Sequence, residues 1–162
     1  MSAVLIIKSL EELVKIHEDL LAVSKDKTNT VKEGSIDKLQ QLLVIERKLI
    51  RLSEQAENAR QTEVAEWCQA NRIAAEDATI TNILDSVQNK AEQVRMEQAA
   101  VRLTEVITKL KQQEQLNQVL ISQSMQFVQL SLDLMSPTLK NMNYGVKEGN
   151  ISSTRSVFDS KA

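Results

Sequence analysis

The sequence predicts an all-α protein, in which an antiparallel helical hairpin packs against a long C-terminal helix and one short extra helix lies between them in the chain. The 162 residues include only three Gly and one Pro, so few positions favour turns. Aromatic residues make up 2% of the chain, and a Leu, Ile and Val core is typical of bundles and coiled coils. Apolar residues recur at steps of three and four over most of the chain. We expect a coiled-coil-like bundle over residues 1–136 and a flexible tail over residues 137–162.

The first helix is predicted from Ala3 to about Lys32. Gly34 follows where a left-handed backbone often ends a helix, and Ser35 is a suitable N-cap for the next helix. The short turn indicates an antiparallel hairpin. The apolar stripe of this first helix comprises Ile6, Leu10, Leu13, Val14, Leu20, Leu21 and Val31, with His17 on the same face.

The second helix is predicted from Ile36 to the neighbourhood of Trp67. Glu46, Ser53 and Arg60 share its apolar face, and we expect such polar groups to pair with one another. The stripe itself comprises Ile36, Leu39, Leu42, Leu43, Leu49, Ile50, Ala56, Val64 and Trp67.

A short helix with Thr79 as its cap is predicted between Asn71 and about Val87. A long helix follows from about Gln88 to Met135, and Pro137 is expected to close it. Its steps of three and four indicate a heptad seam with polar positions. That seam comprises Leu103, Val106, Leu110, Gln113, Asn117, Leu120, Ser124, Phe127, Ser131 and Leu134.

The segment Gln115–Leu132 contains no charged residue, although 26% of the chain is charged. It carries two apolar rows at helical spacing. The first row comprises Leu116, Leu120, Phe127, Leu130 and Leu134, and the second row comprises Ile121, Met125, Val128, Leu132 and Met135. We expect Leu120 and Phe127 to face the hairpin and the second row to bind a partner helix, whereas burial of both rows in one bundle is the alternative. The predicted binding residues are Val119, Leu120, Ile121, Met125, Val128, Leu132, Met135 and, in the tail, Tyr144.

Composition argues against several other classes. The net charge of −2 and the lack of a basic patch predict no nucleic-acid binding, and no apolar run is long enough to insert into a membrane. The N-terminal apolar run reads as the start of a helix and not as a signal peptide. Cys68 has no second cysteine to pair with, which fits a reducing, cytoplasmic location.

No catalytic or cofactor chemistry is indicated. His17 is the single histidine, and its place on an apolar stripe favours a core or boundary role. One His and one Cys do not make a zinc site, and the sequence has no glycine-rich phosphate loop. We therefore predict that the protein is not an enzyme and holds no cofactor or metal.

The order and spacing of these elements resemble the FlgN family of flagellar export chaperones, particularly its bacillar members. The resemblance lies in the hairpin LEELVKIHEDLLAVSKDKTNTVKEGSIDKLQQLLVIERKLI, in the long helix LKQQEQLNQVLISQSMQFVQLSLDLM, in Asn143–Tyr144 and in the ending FDSKA. It covers almost the whole chain, and the segment Val64–Arg102 matches least well.

The resemblance implies a cytosolic chaperone for the hook–filament junction proteins, the first and third hook-associated proteins. Such a chaperone binds their C-terminal segments, prevents premature assembly and delivers them to the flagellar type III export gate. A different class stays open from the residues alone: a structural coiled-coil or scaffold protein that forms a homodimer through its long helix.

Overall fold

The computed structural model describes the backbone of residues 2–144 and the side chains of residues 2–135. The described part contains α1 (Val4–Glu33), α2 (Ile36–Ala70), a 3-10 turn (Ala75–Asp77), α3 (Ile80–Ser86) and α4 (Lys90–Tyr144). It contains no strand, and α1 and α2 pack against α4, which confirms the predicted all-α architecture. The chain separates into two compact units, Met1–Leu120 and Ile121–Ala162.

The hairpin turn between α1 and α2 is formed by Gly34 and Ser35. Gly34 has a left-handed backbone with φ of 70°, and its N–H donates to the Val31 carbonyl at 3.2 Å. The Ser35 N–H donates to the Thr30 carbonyl at 3.2 Å, so both amides cap the end of α1. Ser35 occupies the predicted N-cap position of α2, but its side chain accepts no capping hydrogen bond.

Replacement of Gly34 tests the importance of this turn. A Cβ atom at Gly34 would meet no atom within 4 Å, so Gly34→Ala is expected to cost only the left-handed backbone strain, about 1 kcal/mol. Gly34→Asn is expected to lose less, because Asn tolerates this conformation better than Ala. Urea unfolding followed by circular dichroism measures both, and an unchanged midpoint for Gly34→Ala would show that the turn does not need glycine.

Two apolar clusters form much of the core of the unit Met1–Leu120. One joins the N-terminal end of α1, the C-terminal end of α2, α3 and the start of α4, and it includes Ile7 and Met96, both fully buried, together with Trp67. The other cluster lies further along α1 and includes Leu13, Ile16, Leu20 and Ala56. Ile6, Leu10, Leu13 and Leu20 are buried as predicted. Ile7, Ile16 and Val23 are buried as well, because α1 faces both α2 and α4.

The connection from α2 to α4 is held by specific polar contacts. Thr79 accepts a hydrogen bond from the Asn82 N–H and so caps α3, as the sequence predicts. The Trp67 indole N–H donates to Ser86 Oγ at 3.1 Å, which fixes the end of α3 against α2. Asn89 Oδ1 accepts a hydrogen bond from the Ala91 N–H at 2.9 Å and so caps the start of α4.

Helices α1 and α4 run parallel, with paired residues at similar distances from their starts. The Ala3 N–H donates to Glu92 Oε2 at 3.0 Å near the start of both helices. Two ion pairs follow at heptad spacing, namely Arg95–Glu11 at 2.8 Å and Arg102–Glu18 at 2.7 Å. The hydrogen bonds from Arg95 hold the pKa of Glu11 below its usual value. These pairs are exposed and salt-screened, so they orient the helices more than they stabilise them.

The C-terminal end of α4 corrects one prediction. The helix continues through Pro137 to Tyr144 and does not close before the proline. A proline removes one main-chain hydrogen bond and restricts the preceding residue, and a long helix can accommodate this as a local distortion. Residues 145–162 lie outside the described part of the chain, so the domain boundary at residue 136 and the flexible tail stay predictions.

Candidate docking surface on α4

The predicted seam of α4 changes its environment along the helix. Val106 and Asn117 are each 2% exposed, and Leu103, Leu110, Gln113 and Leu120 are half-buried. After Leu120 the same heptad positions are mostly open to solvent. The exposed fraction reaches 71% at Phe127 and 70% at Leu134, so the seam is not buried at these two positions.

Every member of the second row is exposed. The fractions are 41% at Ile121, 68% at Met125, 55% at Val128, 56% at Leu132 and 57% at Met135. The alternative in which both rows are buried within one bundle therefore does not describe this structure. We name these five residues the docking row.

The other predicted binding residues have different environments. Val119 is 52% exposed, and Leu120 is half-buried. Tyr144 is the last residue of α4, and its side chain lies outside the described part. Leu116 and Leu130, both of the first row, are also exposed but were not among the predicted contacts.

The polar residues around the docking row carry little charge. Asp133 is the one charged residue between Ile121 and Met135, and it accepts a hydrogen bond from Gln129 Nε2 at 3.1 Å. The Ser131 hydroxyl donates to the Phe127 carbonyl at 2.9 Å, so it is satisfied within its own helix. At helical spacing, Ser124 and Ser131 lie between the two apolar rows, where their small side chains leave space for an approaching helix. Neutral polar groups cost less to desolvate than Lys or Glu.

Such a surface is suited to helix recognition. A partner helix laid along the docking row would contact positions spaced four, three, four and three residues apart, the period of helix packing. Met125 and Met135 add unbranched, polarisable side chains that adapt to different partners. Large exposed apolar areas of this kind commonly mark protein interaction sites.

Buried and half-buried polar side chains of α1, α2 and α4 contact one another at Glu114 and Asn117, which precede the docking row in α4. Lys27 is buried, and its ammonium contacts Glu46 at 2.5 Å and Glu114 at 2.9 Å. The Asn117 amide donates to the Ser24 carbonyl at 2.8 Å and to Ser24 Oγ at 3.1 Å. Thr28 Oγ1 donates to Asn117 Oδ1, and Ser24 Oγ donates to Glu114 Oε1 at 2.6 Å. We call Ser24, Lys27, Thr28, Glu46, Glu114 and Asn117 the polar layer.

The electrostatics of the layer centre on Lys27. Burial disfavours its ammonium, but the hydrogen bonds and charges of Glu46 and Glu114 outweigh this effect and raise its pKa above the usual value. Glu46 and Arg60 were expected to pair with polar groups of the same helix face, but Glu46 pairs with Lys27 of α1 and Arg60 with Glu57. The apolar pattern did not predict Lys27 as the partner of Glu46, although Lys27 continues the row of Ile6, Leu13 and Leu20 at heptad spacing.

The single histidine and the single cysteine have local structural surroundings. The His17 ring nitrogen Nδ1 lies 2.7 Å from the Leu13 carbonyl one turn earlier, so that nitrogen is engaged within α1. Cys68 is a buried free thiol, beside a surface groove of about 500 Å³ that Val64 and Ile73 help to line. Within residues 2–144, no three His, Cys, Asp or Glu side chains are grouped so that they could hold a metal ion. In the same range, no helix combines the length and apolarity required to cross a membrane.

Comparison with known proteins identifies the family. The family model described as FlgN protein matches residues 1–151. A protein of Bacillus subtilis (strain 168), named uncharacterized protein YvyG, is 32% identical over 165 aligned residues that cover all of both chains. No solved structure matches the chain. The match over nearly the full length, on an all-α chain with an exposed apolar helix face, shows that this chain belongs to the FlgN family of flagellar export chaperones.

Proposed function

We propose that this protein is a cytosolic export chaperone that binds the C-terminal segments of the hook–filament junction proteins through the docking row of α4. It keeps these hook-associated proteins unassembled and delivers them to the flagellar type III export gate. Membership of the FlgN family supports the general role as a chaperone. The exposure of the docking row supports the choice of binding site. In this role the protein is a binding protein and carries out no reaction.

The chemistry of the docking row sets the kind of segment that it binds. A client segment that is disordered before assembly becomes a helix as its apolar face covers Ile121, Met125 and Val128. The ordering costs about 2–5 kcal/mol of the gross interaction energy, which keeps the affinity moderate and the complex releasable. The sequence contains no glycine-rich phosphate loop, so release depends on the export machinery rather than on nucleotide hydrolysis by this chain.

An assembly assay tests this role. Purified junction proteins, mixed under conditions in which they associate, are expected to scatter less light when this chain is present in equimolar amount. A junction protein that lacks its C-terminal segment should bind no chaperone and should scatter light equally with and without it. If the chaperone lowers the light scattering of the full-length and the truncated junction proteins equally, recognition of the C-terminal segment is contradicted.

A homodimer through α4 is the competing use of the same surface. Light scattering of the isolated chain distinguishes the two, because an obligate dimer that buries Met125 and Val128 leaves little surface for a client. We expect that, at micromolar concentration, the docking row of the isolated chain stays accessible to a client. A stable dimer that resists dilution and excludes client peptides would favour the scaffold role.

A further inference from the structure

We infer that the polar layer fixes the register of α1 along α4 and prevents a slip by one heptad. The α1–α4 pair is parallel, and its two exposed ion pairs and part of its aliphatic core repeat every seven residues. A repeating contact cannot distinguish one register from the next. The polar layer does not repeat, and it therefore selects the observed register.

The exposed ion pairs would survive such a slip. Glu11 pairs with Arg95 and Glu18 with Arg102 in the structure. Lys109 follows Arg102 by another seven residues. If α1 moved one heptad towards the C-terminal end of α4, Glu11 would meet Arg102 and Glu18 would meet Lys109, so the electrostatic pattern would be retained.

Part of the aliphatic core would also be retained, although Ala3 would take the place of Leu10 and Ser9 that of Ile16. Ile6, Leu13 and Leu20 of α1 are buried aliphatic residues spaced by seven, and each would take the place of the next. On α4, Leu103 and Leu110 pack against the second apolar cluster and are likewise spaced by seven. Aliphatic exchanges of similar volume cost little in a helical core. The ion pairs and these heptad-spaced aliphatic residues therefore do not by themselves define the register.

The polar layer would be broken by the same movement. Leu20 and Leu21 would take the places of Lys27 and Thr28, and His17 would take the place of Ser24. Glu114 would lose its ammonium, and Asn117 would lose both hydroxyl partners. Lys27 would leave Glu114, and α4 has no carboxylate between Glu114 and Asp133 to replace it, so that Glu46 of α2 would be its one remaining partner in the layer. A buried polar group without its partner is strongly disfavoured.

Cross-linking measures the register directly. In a Cys68→Ser background, Glu11→Cys with Arg95→Cys reports the observed register, and Glu11→Cys with Arg102→Cys reports the slipped one. A heptad is about 10 Å along the helix, so a short bismaleimide can separate the two registers. With the native layer, we expect the first pair to cross-link at least roughly tenfold faster than the second.

The same two pairs are then placed in a variant that lacks the layer: Lys27→Leu, Glu46→Gln, Glu114→Leu and Asn117→Leu. We expect the cross-linking rates of the two pairs to become similar. The helicity measured by circular dichroism should stay unchanged. The single change Asn117→Leu keeps every charge and is expected to weaken the preference less. If a folded variant of either kind keeps the full native preference, the layer does not set the register. A lost preference supports the inference whether or not a client peptide binds, so the failure of the proposed function would leave it standing.

Discussion

Trp67→Ala is expected to lower the free energy of unfolding by about 3–5 kcal/mol, the usual cost of truncating a large buried aromatic residue. Trp67 is 4% exposed and packs in the cluster that joins α1, α2, α3 and α4. Its indole N–H is also the contact that holds Ser86 at the end of α3. The truncation therefore removes both a large part of the core and the anchor of α3. Urea unfolding followed by circular dichroism measures the loss.

Trp67→Phe is the matched variant for this prediction. It retains most of the apolar volume but removes the hydrogen bond to Ser86, so we expect a smaller loss, about 1–2 kcal/mol. An alanine variant as stable as the phenylalanine variant would show that α3 and its neighbours do not depend on Trp67 packing.

Ile121→Asp combined with Val128→Asp is expected to weaken binding of a client C-terminal peptide by roughly 100-fold or more, because two carboxylates would be desolvated at the contact. Both side chains are exposed in the structure, at 41% and 55%. The substitutions should therefore leave the helicity and unfolding midpoint of the free protein nearly unchanged. Calorimetric titration of the variant gives the affinity, and circular dichroism gives the helicity.

The matched control adds the same charge to the polar face of the segment. Ser122→Asp combined with Gln126→Asp should leave peptide affinity within a few-fold of the native value. If the Ile121 and Val128 variant stays helical and binds normally, the client site lies elsewhere. If its helicity collapses, those positions are core residues and the docking row is not a surface.

Much of the fold follows from local sequence chemistry. Gly34 ends α1 and Thr79 caps α3 as predicted, since each position needs a particular residue type. Helix periodicity also located Leu10, Leu13 and Leu20 in the core. It missed Ile7 and Ile16, because a single stripe does not reveal that a helix packs against two neighbours.

The candidate site was less predictable from sequence. A continuous heptad pattern cannot indicate where the buried part of a helix ends, and the same period runs through buried Val106 and exposed Phe127. Pro137 suggested an end to α4, but the loss of one hydrogen bond did not end the helix. The polar layer depends on residues about ninety positions apart, such as Ser24 and Asn117. Their pairing could be predicted from the sequence only if it were known that α1 and α4 run parallel.

Calorimetric titration of the native chain with C-terminal peptides of the junction proteins tests the central claim most directly. We predict saturable binding with a negative heat-capacity change, because apolar surface of the docking row is covered, together with a gain of helicity in the peptide. Peptides from the N-terminal segments of the same proteins serve as controls and should give no heat. The absence of saturable binding by every C-terminal peptide, with the chain fully helical, would contradict the account.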